Sequence, residues 1–436
     1  MSARSDPPRL RNDCFALPPG VAWTPVKEAL AALRARCACV AGEETVPLAA
    51  AAGRILAAPV AALRPNPPRA NSAVDGWAFA QTSLTGADPE RLVRRPGRAA
   101  PGADGPDVPA GAALRILTGA ALPAGADTVV LDEDVGLTTD EVRLRPGLRL
   151  GANVRPAGED AAAGDALLEA GRILSPGDLA LAAAGGHAAL PVRRRLRVAV
   201  LSTGDELADP PPSADAGPGP GAPAQAVMDA NRPMLAALSS AWGFETLDLG
   251  RVEDRRDAVT EALDRGARLA DAILTSGGAS AGDEDHVSAA LAEAGALGQW
   301  RIAMKPGRPL ALGVWNGAAV FGLPGNPVAA FVCALVFARP ALLALAGAGW
   351  REPAARRVPA AFAKRRKRGR REYLRARLTP QGAAEVFPSE GSGRISGLAW
   401  ATGLVELPDD GPDVTPGDPV RWLPFSAFGL SGSGAI

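Results

Sequence analysis

The stretch Asp271 to His286 reads DAILTSGGASAGDEDH, and the rest of the chain is best read outward from it. Ala272-Ile273-Leu274-Thr275 is a short apolar run of the kind that forms a buried strand. Ser276, Gly277, Gly278, Ala279, Ser280, Ala281 and Gly282 then form a loop of glycines, alanines and hydroxyls. Such a loop takes positive φ freely and can turn several backbone N–H groups toward one point, an anion-binding concavity. Asp283, Glu284 and Asp285 come next, followed by a helical stretch from His286 to Ala294. A phosphate cradle beside carboxylates suits a divalent cation bridging phosphate and protein. A plain βα loop with a solvated acidic helix start fits the same residues, because Asp at an N-cap needs no ligand.

Around this stretch, residues 196 to about 345 alternate strand and helix. Strands are predicted at Leu196–Leu201, Phe244–Leu249, Ala272–Thr275, Trp300–Met304, Pro309–Val314 and Ala319–Phe321, and helices at Asn231–Trp242, Arg255–Leu269 and Pro327–Ala338. That alternation predicts a doubly wound sheet whose ligands sit at the strand C-terminal ends. The Pro/Gly/Ala-rich segment 209–226 is an insertion in it.

Upstream, residues 1 to about 20 read as a loose polar arm. Thr24 as N-cap with Pro25 at the first helical position predicts a helix to Cys39, and a second helix is expected from Pro47 through Ala61 with Gly53 inside it. Arg64-Pro-Asn-Pro-Pro-Arg69 reads as an extended crossing. It delivers Asp75-Gly76, whose local pattern is also that of a turn between strands. From 79 to about 150 short strands and turns predict a small inserted β domain, and Ser175 caps a helix ended by Gly185-Gly186. Downstream of Gly347, five short strands predict a small β-barrel or sandwich. The basic run Lys364 to Arg371 lies in an expected hairpin turn and is read as a solvated or anion-facing loop, not as a nucleic-acid patch.

The fold expected is therefore multidomain α/β. It has an elongated N-terminal α+β domain (21–70 and 146–192), an inserted β domain (71–145), a doubly wound α/β domain (193–346) and a C-terminal small β-barrel (350–430). The length of 436 residues agrees with about three or four domains. Charge is balanced at 47 basic and 47 acidic residues, which disfavours nucleic acid or a membrane surface as partner. Four cysteines without Cys-x-x-Cys spacing and two histidines disfavour a zinc site. No run of 18 apolar residues occurs and the first residues have no apolar signal core, so a cytoplasmic protein is expected.

Four loops of the α/β domain share one design, a strand followed by a glycine-bearing turn with charged or capping residues. Ser202-Thr203-Gly204-Asp205-Glu206 offers carboxylates, as does Asp283–Asp285. Lys305-Pro-Gly-Arg308-Pro309 offers two cations suited to phosphate or another oxyanion. Leu323-Pro324-Gly-Asn326-Pro327 presents the start of a helix. Together these suggest metal-assisted chemistry on a phosphorylated substrate. Neither a Walker A motif nor G-x-G-x-x-G is present.

NSAVDGWA, RILTGA, NVRPAGED, STGDEL, MDANRPML, TSGGASAGDEDH, KPGRP and FGLPGNP stand in this order along the chain. In this set the sequence resembles the molybdopterin molybdenumtransferases, the MoeA family, to which the E domain of gephyrin also belongs. The resemblance spans about residues 24 to 425. It implies a four-part subunit that dimerises and, with Mg2+, inserts molybdate into adenylylated molybdopterin, releasing AMP and molybdenum cofactor. It also implies that Asp75, Thr118, Asp160, Glu206 and Asp285 are active-site groups, with Glu206 and Asp285 as metal ligands. Ser276, Gly277, Gly278, Ser280, Lys305, Arg308, Pro324, Asn326, Pro327 and Ser392 would line the substrate site. The cleft would be shared across the homodimer, so that Asp75 and Thr118 act on the partner's loops. The molybdopterin adenylyltransferase and the acceptor molybdoenzymes are the further partners it implies. Arg308 stands where the pattern has lysine, Ala279 replaces valine and Trp77 replaces tyrosine. A non-catalytic scaffold of the gephyrin type and the adenylyltransferase reaction are the alternatives.

Overall fold

A computed structural model describes residues 23–84, 90–209, 227–277, 286–294, 298–307, 309–391 and 393–430. The chain divides into two compact units, one made of the residues through Gly42 together with those from Arg194 onward, the other Glu43–Arg193.

In the first unit, helix α1 (Val26–Arg34) precedes a six-stranded mixed sheet. Its strands are β1 (Arg197–Thr203), β2 (Glu245–Val252), β3 (Ala272–Ser276), β4 (Gly298–Arg301), β6 (Pro309–Trp315) and β7 (Ala318–Leu323), in the order β2-β1-β3-β7-β6-β4. The first four in that order are parallel, while β6 and β4 run antiparallel at one edge. Asp271 ties the start of β3 to that of β1: it takes two bonds from the Arg194 guanidinium, 2.9 and 3.0 Å, and one from the Arg197 N–H, 2.8 Å. Alternation along the strands sends Ala199, Leu201, Ile273 and Val320 to one face, where α3 (Arg256–Leu269) and α4 (His286–Glu293) cover them through Val259, Leu263, Val287 and Leu291. Helix α2 (Asn231–Ala241) contacts α5, which starts at Pro327.

Helix α5 continues through a π-helical turn at Ala334–Ala338 to Leu345. Pro340 lacks the N–H that would close that turn in α form. Its 19 residues, with a mean hydropathy of 2.3, are long and apolar enough to cross a membrane, yet 94% of that window is buried, as in a core helix.

The C-terminal sheet runs β5 (Met304–Lys305), β9 (Arg371–Leu378), β11 (Gly403–Leu407), β12 (Pro419–Pro424), β8 (Arg356–Pro359), with β10 (Ala384–Val386) on β9. Ala360, just past β8, bridges to Ala384 of β10 and closes the sheet into a small barrel around Leu374, Val405, Val420 and Trp422. Lys305 thus stands on a strand of this barrel sheet, between two strands of the α/β sheet in sequence.

In the second unit, the segments on either side of the inserted β domain pair with each other. Glu43–Pro47 pairs with Ala189–Arg193, Val60–Ala61 with Ala166–Leu168 and Asn71–Ser72 with Val154–Arg155, all antiparallel. The inserted segment forms a six-stranded sheet around Phe79, Leu92, Leu114 and Ile116.

Three sequence expectations are corrected. Residues 47–61 are not a helix: after a short 3-10 turn at Leu48–Ala50, Gly53 takes φ 71°, and the chain bonds instead to the 171–174 segment, Gly53 N–H to Leu174 O at 2.8 Å and Leu56 N–H to Arg172 O at 2.8 Å. Thr24 is not the N-cap of α1. Its backbone bridges to Arg301 and Ala303, Pro25 takes the cap position, and the helix ends at Arg34, short of Cys39. The run Lys364–Arg371 is not a hairpin turn, although Arg365, Lys367 and Arg368 in its middle are exposed as expected of a solvated loop. Strand β8 pairs with β12, not β9, and carboxylates meet the two ends of the run: Glu372 and Glu390 at Lys364, Glu372 at Arg370, Glu406 and Asp409 at Arg371. The arm 1–20 and most of the insertion 209–226 lie outside the described residues.

Leu201 is fully buried between β3 and α3. Leu201→Ala is expected to lower unfolding stability by about 2–5 kcal/mol in denaturant titration.

Candidate active site

Register places the C-terminal ends of the parallel strands side by side. Ser202 of β1 stands opposite Ser276 of β3, Ser276 opposite Leu323 of β7, and Thr203 opposite Val252 of β2. The loops that follow, through Glu206, Gly277 and Pro324–Pro327, therefore leave the sheet at one edge. They touch there. Gly277 adopts φ 92°, and a Cβ on it would meet the Thr203 carbonyl oxygen at 2.6 Å, so only glycine fits. Gly277 N–H donates to Leu323 O at 3.2 Å.

Asn231, buried at the start of α2, staples the loops: its Nδ2 donates to Ser276 Oγ at 2.6 Å and to Gly325 O at 2.7 Å. Asp229, 1% exposed, accepts from Ser202 Oγ, from the N–H groups of Asn231 and Arg232 (both 3.1 Å) and from Arg232 Nε (3.1 Å). Sequence reasoning gave these residues no role, although MDANRPML was among the motifs that carried the resemblance.

Glu206 is exposed at the end of β1 and folds back over Gly204, where a Cβ would lie 2.7 Å from Oε2. Asp205 accepts from the Asp254 N–H at 3.1 Å. Among the described residues no three of His, Cys, Asp and Glu converge. Mg2+ needs only one or two protein carboxylates and completes its shell with substrate phosphate oxygens and water. An exposed carboxylate over a bare glycine fits that ion. Asp285, the other expected ligand, lies outside the described residues, as do Gly278, Ser280, Arg308 and Ser392.

Pro324 is buried, and Asn326 caps α5 by accepting from Ala329 N–H at 3.5 Å, with Pro327 at the first helical position. Beside this helix start, Lys305, Pro306 and Val328 line a cavity of about 180 Å3 with Lys364, Tyr373, Arg375 and Glu390. Lys305 Nζ donates to Glu390 Oε2 and Lys364 Nζ to Glu390 Oε1. Burial alone would raise the Glu390 carboxyl, but these bonds outweigh it and hold the group at about 2, from an ordinary 4.5. Tyr373 is pushed up by burial and by the neighbouring Glu406.

In the unit Glu43–Arg193, Asp75 Oδ1 accepts from the Thr118 N–H at 2.6 Å and from Thr118 Oγ1 at 2.7 Å. The Thr118 N–H and then its hydroxyl hold the exposed Asp75 carboxyl below its ordinary range. Asp160 accepts from Asn66 Nδ2 at 2.9 Å, and its N–H donates to Asn66 O at 3.0 Å. Trp77, which departs from the family pattern, is buried, donates to Asp132 at 2.9 Å and lies under the Arg94 guanidinium.

Three family models match the chain: the MoeA N-terminal region (domain I and II) over residues 24–186, a probable molybdopterin binding domain over 199–344, and the MoeA C-terminal region (domain IV) over 357–425. Molybdopterin molybdenumtransferase 2 of Mycobacterium tuberculosis is 36% identical over 392 residues, 86% of this chain and 93% of the relative. The chain belongs to the molybdopterin molybdenumtransferase family. A second family member, from Haemophilus influenzae, is 32% identical across 88% of this chain and 94% of its own. Among solved structures of the family, the MoeA protein of Pyrococcus horikoshii OT3 superposes with a TM-score of 0.79 at 26% identity, covering 92% of this chain and 100% of its own.

Two outcomes follow from the site. Asn231→Ala removes both staple bonds and should cost about 1–3 kcal/mol in denaturant titration. A carboxyl lowered by folding adds stability above its unfolded value and loses it as pH falls toward the folded one. Melting temperature is therefore expected to drop between about pH 4.5 and 2, and to drop less over that window in Glu390→Gln.

Proposed function

We propose that this chain, an enzyme of molybdenum cofactor biosynthesis, inserts molybdate into adenylylated molybdopterin and releases AMP and molybdenum cofactor. The observation that carries the reading is the single edge at which Glu206, Ser276, Gly277 and the Pro324–Pro327 helix start meet. Each of these residue types suits one part of the substrate.

Gly277 lets the loop after β3 pass close against Thr203 and so sets its course, and the glycines and hydroxyls that follow it are the groups offered to a phosphate. The capped start of α5 adds oriented N–H groups for an anion. Lys305 and Arg308 hold the molybdate oxygens, and Ser392 faces them. Glu206 and Asp285 hold Mg2+, which when bound neutralises charge on the phosphoanhydride. Thr118 orients the Asp75 carboxylate through two hydrogen bonds, and in a homodimer with shared active sites Asp75 and Thr118 come from one subunit to the loops of the other. The subunit has four parts, with an inserted domain at 71–145. The adenylylated substrate comes from a molybdopterin adenylyltransferase, and the product passes to acceptor molybdoenzymes in the cytoplasm.

Glu206→Ala and Asp285→Ala should each lower AMP release by about a hundredfold or more while leaving circular dichroism and melting unchanged. Full activity in both variants would overturn the assignment of the two carboxylates.

A further inference from the structure

The cavity at Lys305 carries a bridge that the sequence pattern does not announce. Two ammonium groups, Lys305 and Lys364, have side chains only 11% and 10% exposed, and Glu390 takes one with each carboxylate oxygen. Behind them Glu372, 1% exposed, pairs with Lys364 at 3.1 Å and with Arg370 at 3.2 Å. Of these five charged side chains Glu390 is the one with a broad face in water, 44% exposed. Beside it, the Arg375 guanidinium donates to the carbonyl oxygens of Ser389, Gly391 and Arg394.

We propose that Glu390 is an internal place-holder, whose carboxylate occupies the two-lysine site until a tetrahedral dianion such as molybdate displaces it. The inference rests on the reading of Lys305 as an oxyanion-holding group. Breaking a buried ion pair by removing one partner is costly: Glu390 answers both ammonium groups, and Lys364 also has Glu372, so the site is more stable with an anion in the place that Glu390 holds. With Glu390 in place, four cations (Lys305, Lys364, Arg370 and Arg375) stand with two carboxylates around this cavity; with Glu390 turned to solvent the positive excess rises by one, which favours an oxyanion that carries more charge than one carboxylate. The low pKa of Glu390 agrees with this, since the carboxylate stays charged throughout the physiological range. Glu390 therefore sets the affinity of the site: it stabilises the empty cavity and competes with the oxyanion.

Calorimetric titration of the full chain with molybdate tests this on wild type, Glu390→Gln, Glu390→Asp and Lys305→Ala. Binding is expected to tighten by about tenfold in Glu390→Gln, as for removal of one competing charge pair, and by less in Glu390→Asp, whose shorter carboxylate cannot span both lysines. It should be lost in Lys305→Ala. Unchanged or weaker binding in Glu390→Gln, with Lys305→Ala still defective, overturns the place-holder and leaves the reading of Lys305 intact. Binding indifferent to Lys305→Ala, or absent from all four proteins, overturns both. Should Glu390→Gln fail to fold, Glu390→Asp decides by the same criterion.

Discussion

Two hydrogen bonds from one buried amide hold the loops of the cleft in place. Asn231 Nδ2 reaches Ser276 Oγ and Gly325 O, and so ties the loop after β3 to the loop after β7 at the base of α2. Strand register brings these loops to the same edge, but register alone fixes only their starting points. Inside a protein, such bonds gain strength from the low dielectric, and losing one strands a buried polar group. Gly277 completes the arrangement, since any side chain there would collide with the Thr203 carbonyl.

Much of the α/β fold was legible because its signals are local. Each parallel strand is a short apolar run, each helix has a periodic face, and Asn326-Pro327 is a helix start that the structure builds as read. What failed did so for non-local reasons. Pro47 through Ala61 has helical composition, but Gly53 at positive φ and hydrogen bonds to a segment more than a hundred residues away took that backbone elsewhere. The antiparallel edge of the sheet was equally invisible, because a strand's direction is not written in its hydropathy. The loan of Met304–Lys305 to the barrel sheet depends on a partner strand at Arg371–Leu378.

The site divides in the same way. Glycine loops and the cations and carboxylates that follow strands can be seen in a sequence, because ligand-binding residues gather there. The counter-ions cannot. Lys364, Arg370 and Arg371 read as parts of a basic surface loop, yet Glu372, Glu390, Glu406 and Asp409 stand against them. Glu390 is a lone acid in a turn, and nothing in its neighbourhood announces that it bridges two lysines from different segments. Asp229 and Asn231 carried a motif whose purpose, stapling three loops, appears only when the strands are paired.

The proposed reaction couples loss of AMP to gain of molybdenum. The most direct measurement follows both products together, AMP released and molybdenum bound to the pterin, from adenylylated molybdopterin with Mg2+ at increasing molybdate. The two should appear in equal amounts, and neither should appear without molybdate. AMP release that proceeds unchanged in the absence of molybdate, or a folded protein that forms neither product, would contradict it.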